Sequence, residues 1–536
     1  MTVPTRLRGV PASPAVLVAL ALAIFVLTAC LLAPTASAAE ASGFASLCLD
    51  PPTLTSVVPG DTAINDQPSI NCFAWQEFIS LNWLASGGDA STFGVPGDLS
   101  PVAWEEFVDV SNLRIHLRSA RPAEPPPADF EVPAPESCPA DGSVTMTLRQ
   151  SSKFSIEFDG DDSTGQAFPE GKPAWLADRD GNPVLYQILV SPQEYRFIVS
   201  HGFADLANQY PRVALGTHVD MPRGVLGGDV GSIEIKAAWL TLPPGSVDDP
   251  RWRRYKLSRA HVYDEGDGDC EVRTVALVGL HVIHKTTSNP QWIWSTFEHV
   301  DNAPDAAAVE AAGFAPGDRY LFWSGDCVER PVPTECAALT VGDCKPVTPP
   351  PTHTSCTPNT TPAYCLDLFD ADCPAYPIQV TREVPIADTG DNLVRQISAA
   401  SQQLIRQGAR RDSVWQHYQL VGTVWSGSPE EQNATGSQPP LEPLTVAGMR
   451  PNVNALPVAN TTLETYVQSA TCLNCHQGAE IAVTDDSGSE PYAADYSFVL
   501  QSLKEGGTTD EERAAKKAAM EKAAMEKQEM EEEEQR

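Results

Sequence analysis

The sequence of 536 residues predicts an α+β fold, with a β-rich body followed by a helical C-terminal segment. The main observation is a series of alternating runs, rich in Val, Ile, Tyr and Trp, between residues 184 and 300. The second observation is the helical spacing of large apolar residues at 70–84 and 393–407. Apolar residues make up 42% of the chain, so substantial cores are expected.

The elements follow one another along the chain, each with a local signal. The helix at 70–84 is followed by a Pro-rich linker at 121–140 that contains three consecutive prolines. The predicted strands cover 184–190, 232–242, 254–263, 273–284, 291–300 and 418–425. Ser191 and Pro192 begin a helix after the first strand, as cap and first-turn residue.

The N-terminus predicts export. Arg6 and Arg8 precede an apolar run at 15–32, and Ala36-Ser37-Ala38 provides a small-residue cleavage site, so residues 1–38 are interpreted as a signal peptide. The protein is then periplasmic or secreted. The alternative is a lipoprotein anchored at Cys30, because Leu27-Thr28-Ala29-Cys30 resembles a lipidation box. We expect no transmembrane segment in the mature chain.

Cysteine usage agrees with an oxidising compartment. Without Cys30, Cys472 and Cys475, ten of the 13 cysteines remain: Cys48, Cys72, Cys138, Cys270, Cys327, Cys336, Cys344, Cys356, Cys365 and Cys373. An even number suggests up to five disulfides, and Cys48 with Cys72 is the nearest plausible N-terminal pair. Six of the ten lie in a Cys/Pro-rich stretch at 327–376, which we interpret as a disulfide-stapled insertion.

The charge distribution excludes one class of partner. The formal net charge is −34, whereas the charged tail at 501–536 contributes only −4, with 11 acidic and seven basic residues. Most of the acidic excess therefore belongs to the body at 39–326 and the mixed segment at 377–500. An acidic surface argues against nucleic acid and is compatible with a basic redox partner protein. The tail is expected to be helical or disordered.

Residues Cys472-Leu473-Asn474-Cys475-His476 form the most informative motif. Two thiols three positions apart can add to the two vinyl groups of one porphyrin, and the adjacent imidazole then becomes the proximal iron ligand. The spacing predicts one covalent haem c held by Cys472, Cys475 and His476. The alternatives are a Cys472–Cys475 disulfide and half of a zinc site, although no second C-x-x-C or H-x3-H follows.

The haem segment is not a self-contained small cytochrome c domain. Only about 25 residues separate His476 from the charged tail, and they contain no Met or His. A sixth ligand must come from upstream, where the candidates are His281, His284 and His299. His281 and His284 are three apart on a predicted strand, so they point to opposite faces. Met449 and His417 are weaker candidates.

Several blocks carry a family resemblance. They are residues 72–83, 281–302 and 459–466 together with the haem motif at 472–476. In these blocks the chain resembles a bacterial family of exported, single-haem cytochrome c-like proteins. The resemblance implies haem c and export, and it implies no substrate.

Two functions from different classes follow from the motif. The first is electron transfer by a haem with two axial ligands. The second is a haem-dependent oxidoreductase with an open distal iron site, for peroxide, a small ligand or an organic substrate. In that case His281, His284, His299 or Lys285 would be a distal proton donor.

Overall fold

The computed structural model describes the chain in ranges that are separated by gaps. The described residues are 44, 46–110, 134–142, 144, 146–149, 175–204, 209, 213, 219–263, 268–312, 319–326, 329–332, 352–364, 366, 368–369, 374–388, 390, 392–426, 457–476, 479, 481 and 492–502. The predicted signal peptide with Cys30, most of the 121–140 linker and Met449 lie outside them. So do Cys327, Cys336, Cys344, Cys365, Cys373 and the tail beyond 502.

The described elements confirm an α+β fold with a β-rich body. The helices are α1 (Gln67–Leu81), α2 (Pro192–Ser200), α3 (Ala306–Ala312), α4 (Val394–Leu404), α5 (Cys472–His476) and α6 (Val499–Ser502). The strands are β1 (Val108–Asp109), β2 (Met146–Arg149), β3 (Val184–Val190), β4 (Ile233–Thr241), β5 (Leu257–Tyr263), β6 (Cys270–His284), β7 (Ile293–His299), β8 (Glu329–Pro331), β9 (Thr352–Thr354) and β10 (Tyr418–Val424).

Helix α1 begins before the predicted boundary, and its start has a clear cause. The Asp66 carboxylate accepts the Ser69 backbone N–H at 2.8 Å, and Pro68 occupies the first turn, where its missing N–H costs nothing. At the other end, the Asn82 amide donates to the Phe78 carbonyl at 2.8 Å. These local bonds place the helix at 67–81 instead of 70–84.

Eight of the described strands form one sheet, centred on the long strand β6. The order runs β1-β3-β4-β6-β5-β2, and β6 also pairs with β7, which pairs with β10. All pairs are antiparallel except β2 with β5. Strand β10 thus brings residues of the 377–500 segment into the same sheet as the 39–326 body. Strands β8 and β9 form a separate two-stranded sheet.

The sheet has two covered faces. On one, which we call the helix face, α1 packs its aromatic side chains against β6 and β7. Phe78 stacks on Phe297 with ring centroids 4.4 Å apart, and Trp75 meets Phe297 edge-on at 5.2 Å. All three rings are fully buried, and burial of each contributes roughly 1.5–3 kcal/mol.

The opposite face, which we call the C-terminal face, carries Glu234, Lys236, His281, Ile283 and Trp294. Directly paired residues share a face, and the register pairs Lys236 with His281, Glu234 with Ile283, and Ile283 with Trp294. The segment that contains α5 and α6 packs on this face through a second core. That core includes Ile283, Trp294, Leu473, Ala479 and Tyr496.

Two disulfides lie within the described residues. Cys48–Cys72 ties the N-terminal segment to α1, which confirms the predicted pair, and Cys138–Cys270 ties the start of β6 to the segment before β2. Cys356 is also disulfide-bonded. Structural disulfides are typical of oxidising compartments, so these bonds fit a periplasmic or extracellular protein. None of the described helices combines the length and apolar character that crossing a membrane requires.

Candidate functional site

The two thiols of the C-x-x-C-H motif lie on one short helix, α5. Cys472 is partly buried and Cys475 is exposed, and both are free cysteines, so the alternative Cys472–Cys475 disulfide is not formed. Burial raises the pKa of both thiols, and the nearby Glu464 carboxylate acts in the same direction. Both groups are therefore neutral thiols at neutral pH.

The imidazole of His476 is held in one tautomer. Its Nδ1 lies 3.0 Å from the Tyr496 backbone carbonyl, which can only accept, so Nδ1 carries the proton and Nε2 keeps its lone pair. Burial lowers the pKa of His476 to about 4, so the ring is neutral at neutral pH. The ring packs between Trp294 at 4.3 Å and Phe498 at 4.9 Å.

The carbonyl that holds His476 belongs to an unusual stretch of backbone. Asp495 and Tyr496 have φ angles of 57° and 66°, in the left-handed region that non-glycine residues seldom adopt. Each such residue costs on the order of 1 kcal/mol or more, so surrounding contacts must maintain it. The Trp292 indole supplies one contact, donating to the Asp495 carbonyl at 2.8 Å. Ala494 adds another, since its N–H donates to the Ala479 carbonyl at 2.9 Å.

A charged group lies on the C-terminal face near α5. His281 Nε2 donates to Glu464 Oε1 at 2.8 Å, and Glu464 Oε2 accepts the Asn460 N–H at 2.8 Å. Burial opposes ionisation of Glu464, but the charge and hydrogen bond of His281 outweigh it and lower the pKa of Glu464. Lys236 and His281 act electrostatically against protonation of the His476 ring, and Glu464 acts in favour of it.

Gly279 explains how the 459–466 segment reaches His281. A Cβ at this position would lie 2.3 Å from the Thr462 hydroxyl and 3.0 Å from the Asn460 amide oxygen, so only glycine lets the segment lie on the strand. The Asn460 amide also donates to the Phe297 carbonyl at 2.7 Å. These contacts place Glu464 beside His281.

His284 lies on the helix face, away from α5. Its Nδ1 is 2.5 Å from Glu77 Oε1 and its Nε2 is 2.5 Å from the Val230 carbonyl. Both His284 and Glu77 are fully buried, and burial raises the pKa of Glu77. Both ring nitrogens are thus used in contacts with α1 and with the loop before β4.

His299 lies at the far end of β7 and also has both nitrogens bonded. Nε2 donates to the Arg254 carbonyl at 3.2 Å and Nδ1 accepts the Asp301 N–H at 3.2 Å. The ring stacks on Tyr255 at 3.8 Å, and burial lowers the pKa of His299 well below its usual value. His417 lies nearby, 3.4 Å from an Arg254 nitrogen, so neither histidine is brought together with α5.

Lys285, the remaining candidate proton donor, is fully buried beneath the C-terminal segment. Its ammonium group bonds to the Asp495 carboxylate and lies 2.8 Å from Asp220 Oδ1. Asp495 also accepts the Met221 N–H at 2.7 Å, and burial raises its pKa to about 7. Lys285 therefore anchors Asp495, the residue that precedes Tyr496 in the chain.

The sequence reasoning missed four site residues: Glu234, Lys236, Glu464 and Tyr496. The first two had a detectable signal. Residues 233–236 read Ile-Glu-Ile-Lys, an alternation that indicates charged side chains on one face of an otherwise buried strand. Glu464 and Tyr496 had no signal in the sequence. Only the tertiary structure shows that Glu464 contacts His281 and that Tyr496 contacts His476.

Comparisons with protein-family models, with curated proteins and with solved structures found no match to this chain. Within the described residues, no group of three or more His, Cys, Asp and Glu side chains is arranged to hold a bare metal ion. The site can therefore be judged only by its own geometry.

Proposed function

We propose that this chain is an exported c-type cytochrome that binds one haem at Cys472 and Cys475, with His476 as proximal ligand, and that it transfers electrons. The supporting observation is the bond from His476 Nδ1 to the Tyr496 carbonyl. Metal-bound histidines almost always donate their other ring N–H to such an acceptor, which leaves the lone pair of Nε2 for the metal. Bound haem would supply a one-electron iron couple.

The thiols meet the requirements of covalent attachment. Each must be reduced and able to reach a porphyrin vinyl group, and both are free cysteines on one helical turn. Two disulfides elsewhere in the described chain support folding in an oxidising compartment, where Cys472 and Cys475 would otherwise be expected to pair. The predicted signal peptide supports the same compartment, whether periplasmic or secreted, or with a lipid anchor at Cys30.

His281 is the candidate for the sixth ligand that the geometry favours. It is on the face that carries α5, whereas His284 and His299 have both nitrogens engaged elsewhere. The Nε2–H of His281 is held by the Glu464 carboxylate, which leaves Nδ1 with a lone pair. A carboxylate–histidine pair is a recurring arrangement around bound metals.

The same pair supports a second candidate function, a haem-dependent oxidoreductase with an open distal position. A buried histidine held by a carboxylate is a suitable general acid or base. In this case His281 would hold or release a proton at the distal site, with Glu464 keeping the ring oriented. Lys236 beside them would favour negative charge that develops there.

An absorption spectrum tests both functions. The protein is produced in a periplasm that attaches haem, reduced, and measured before and after addition of CO. A Soret band that survives denaturation supports covalent haem, and its absence contradicts the proposal. A low-spin spectrum that CO leaves unchanged supports electron transfer, whereas a spectrum that CO shifts supports the oxidoreductase.

The variant C472S/C475S should lose the covalent haem completely, because no thioether bond can form. A matched control is C138S/C270S, which removes two cysteines from a disulfide outside the site and should retain the Soret band. Equal haem retention in C472S/C475S and the wild type would contradict attachment at this motif.

A further inference from the structure

Two buried glutamates face each other beneath the C-terminal segment. Glu194 lies in the first turn of α2 and Glu234 lies on β4, with exposures of 0% and 5%. The two carboxyl groups interact directly, and no donor among the described residues bonds to either oxygen of Glu194 or to Oε1 of Glu234. A hydrogen bond between the two groups requires a proton on one of them, because a carboxylate only accepts. We refer to Glu194 and Glu234 as the carboxyl pair.

The cations around the carboxyl pair already have acidic partners. Lys285 attracts the charge of Glu194 but is bonded to Asp495 and Asp220, and Lys236, on the same face of β4 as Glu234, is under the influence of the Glu464 carboxylate. Asp220 takes a further bond from Arg223 at 3.1 Å. Asp495 and Lys285 both act on Glu194, one repelling and one attracting its charge. Two carboxyls that share one buried site cannot both ionise easily, so the pair retains a proton.

A three-residue loop connects the carboxyl pair to His476. The Ser497 hydroxyl bonds to Glu234, the Tyr496 carbonyl accepts His476 Nδ1–H, and the Asp495 carboxylate bonds to Lys285. Asp495 and Tyr496 hold left-handed backbone angles, which their surrounding contacts must maintain. Three consecutive residues therefore contact the carboxyl pair, His476 and Lys285, so a change of charge at His476 arises close to the pair.

We propose that the carboxyl pair is a proton-binding site that takes up one proton from solvent when the haem iron gains one electron from an external one-electron donor. The inference rests on the proposed function. An electron adds one negative charge to a buried region that already contains several carboxyl groups. A proton bound by the carboxyl pair offsets that added charge. One O–H bond forms on the pair, iron goes from the ferric to the ferrous state, and no other bond changes.

The test is the midpoint potential of the haem-loaded protein as a function of pH. Uptake of one proton per electron makes the reduction equilibrium constant fall tenfold per pH unit, which is about 59 mV for a one-electron couple. The potential should therefore decrease as pH rises between the pKa values of the pair in the oxidised and reduced states. A potential independent of pH overturns the inference.

The variant E194Q/E234Q keeps the size of both side chains and removes both titrating groups, so the slope should be lost. The matched control is E77Q, which removes a fully buried carboxyl on the helix face and should keep the slope. A slope that persists in E194Q/E234Q overturns the assignment to the pair and points to another group, such as a haem propionate or His281.

Infrared difference spectroscopy of the wild type keeps the inference testable if the double variant does not fold. Reduction should produce a new carboxylic-acid carbonyl band that shifts in deuterated water, and a spectrum without such a band overturns the inference. Failure of the proposed function looks different, because the protein would then show no Soret band and no potential to measure.

Discussion

The two faces of the sheet place histidine in different surroundings. His281 and His284 are three positions apart on β6, and alternation sends them to opposite faces. On the helix face, both His284 nitrogens are bonded, to Glu77 and to the Val230 carbonyl. On the C-terminal face, on which the segment with the two free thiols also packs, His281 is bonded through Nε2 to a residue 183 positions away.

The difference extends to the charged groups around the two histidines. On the helix face the Phe73 ring stacks on His284 of the single His–Glu pair, whereas the C-terminal face carries Glu234, Lys236, Lys285 and Asp495. One carboxyl oxygen of each of Glu77, Glu234 and Asp495 has no hydrogen-bond donor among the described residues, so buried polar groups of this kind cost free energy on both faces. The number of charged groups is what distinguishes the two faces, and we therefore expect chemistry on the C-terminal face.

The largest expected effect comes from H284A. It removes one partner of a fully buried pair and leaves Glu77 and the Val230 carbonyl without their bonds. Loss of one partner of such a pair costs about 3–5 kcal/mol. We expect the free energy of unfolding, measured with urea, to fall by that amount while the haem spectrum of the folded fraction stays unchanged.

A control for H284A is E77L/H284L, which replaces both polar groups and should recover part of the loss. A decrease of less than about 1 kcal/mol in H284A would contradict a structural role for the pair. A changed haem spectrum would show that the two faces are not as separate as the register indicates.

H281A should have a small effect on stability and a large effect on the haem spectrum, the reverse of H284A. The His281–Glu464 bond is only partly buried, so its loss costs about 1–2 kcal/mol of unfolding free energy. The spectrum should change instead, toward a CO-sensitive form if His281 is the sixth ligand. A spectrum and CO response identical to the wild type would remove His281 from the site, and E464Q should give an intermediate result.

The smallest expected effect is on the pH dependence of stability, where His417 and the carboxyl pair should act at opposite ends of the pH range. Burial lowers the pKa of His417 to about 4 from an ordinary 6.5, so the unfolded state binds more protons between these values. Stability is therefore lost as pH falls from 6.5 toward 4. Burial raises the pKa of Glu194 well above 4.5, so its contribution is lost as pH rises through the folded value.

Urea unfolding at a series of pH values separates the two contributions. H417Q should flatten the acidic side of the stability profile, and E194Q/E234Q should flatten the alkaline side. Profiles that keep the shape of the wild type in both variants would show that neither group sets the pH range.

The strands and helices could be predicted from the sequence because their signals are local. Residues 184–190 were predicted without a boundary error, and 191–194 begin the next helix as Ser191 and Pro192 indicate. The strand predicted at 254–263 instead begins at 257, because Asp249 caps a 3-10 turn at Pro250–Arg254. The alternation of side chains along a strand also predicted correctly that His281 and His284 lie on opposite faces. It did not predict which of the two faces the 472–476 motif would pack against.

By itself, the sequence determined the α+β class and the five-residue motif at 472–476, and it suggested Cys48 with Cys72 as the nearest plausible pair, which the structure then showed to be bonded. These depend on neighbours in the chain, or on short separations that pattern and spacing can encode. The tertiary structure alone decided which groups surround the motif. His476 meets Tyr496 across 20 residues, His281 meets Glu464 across 183 and His284 meets Glu77 across 207. Each pairing is set by how whole strands and segments pack to bury apolar surface, and no local pattern records that choice.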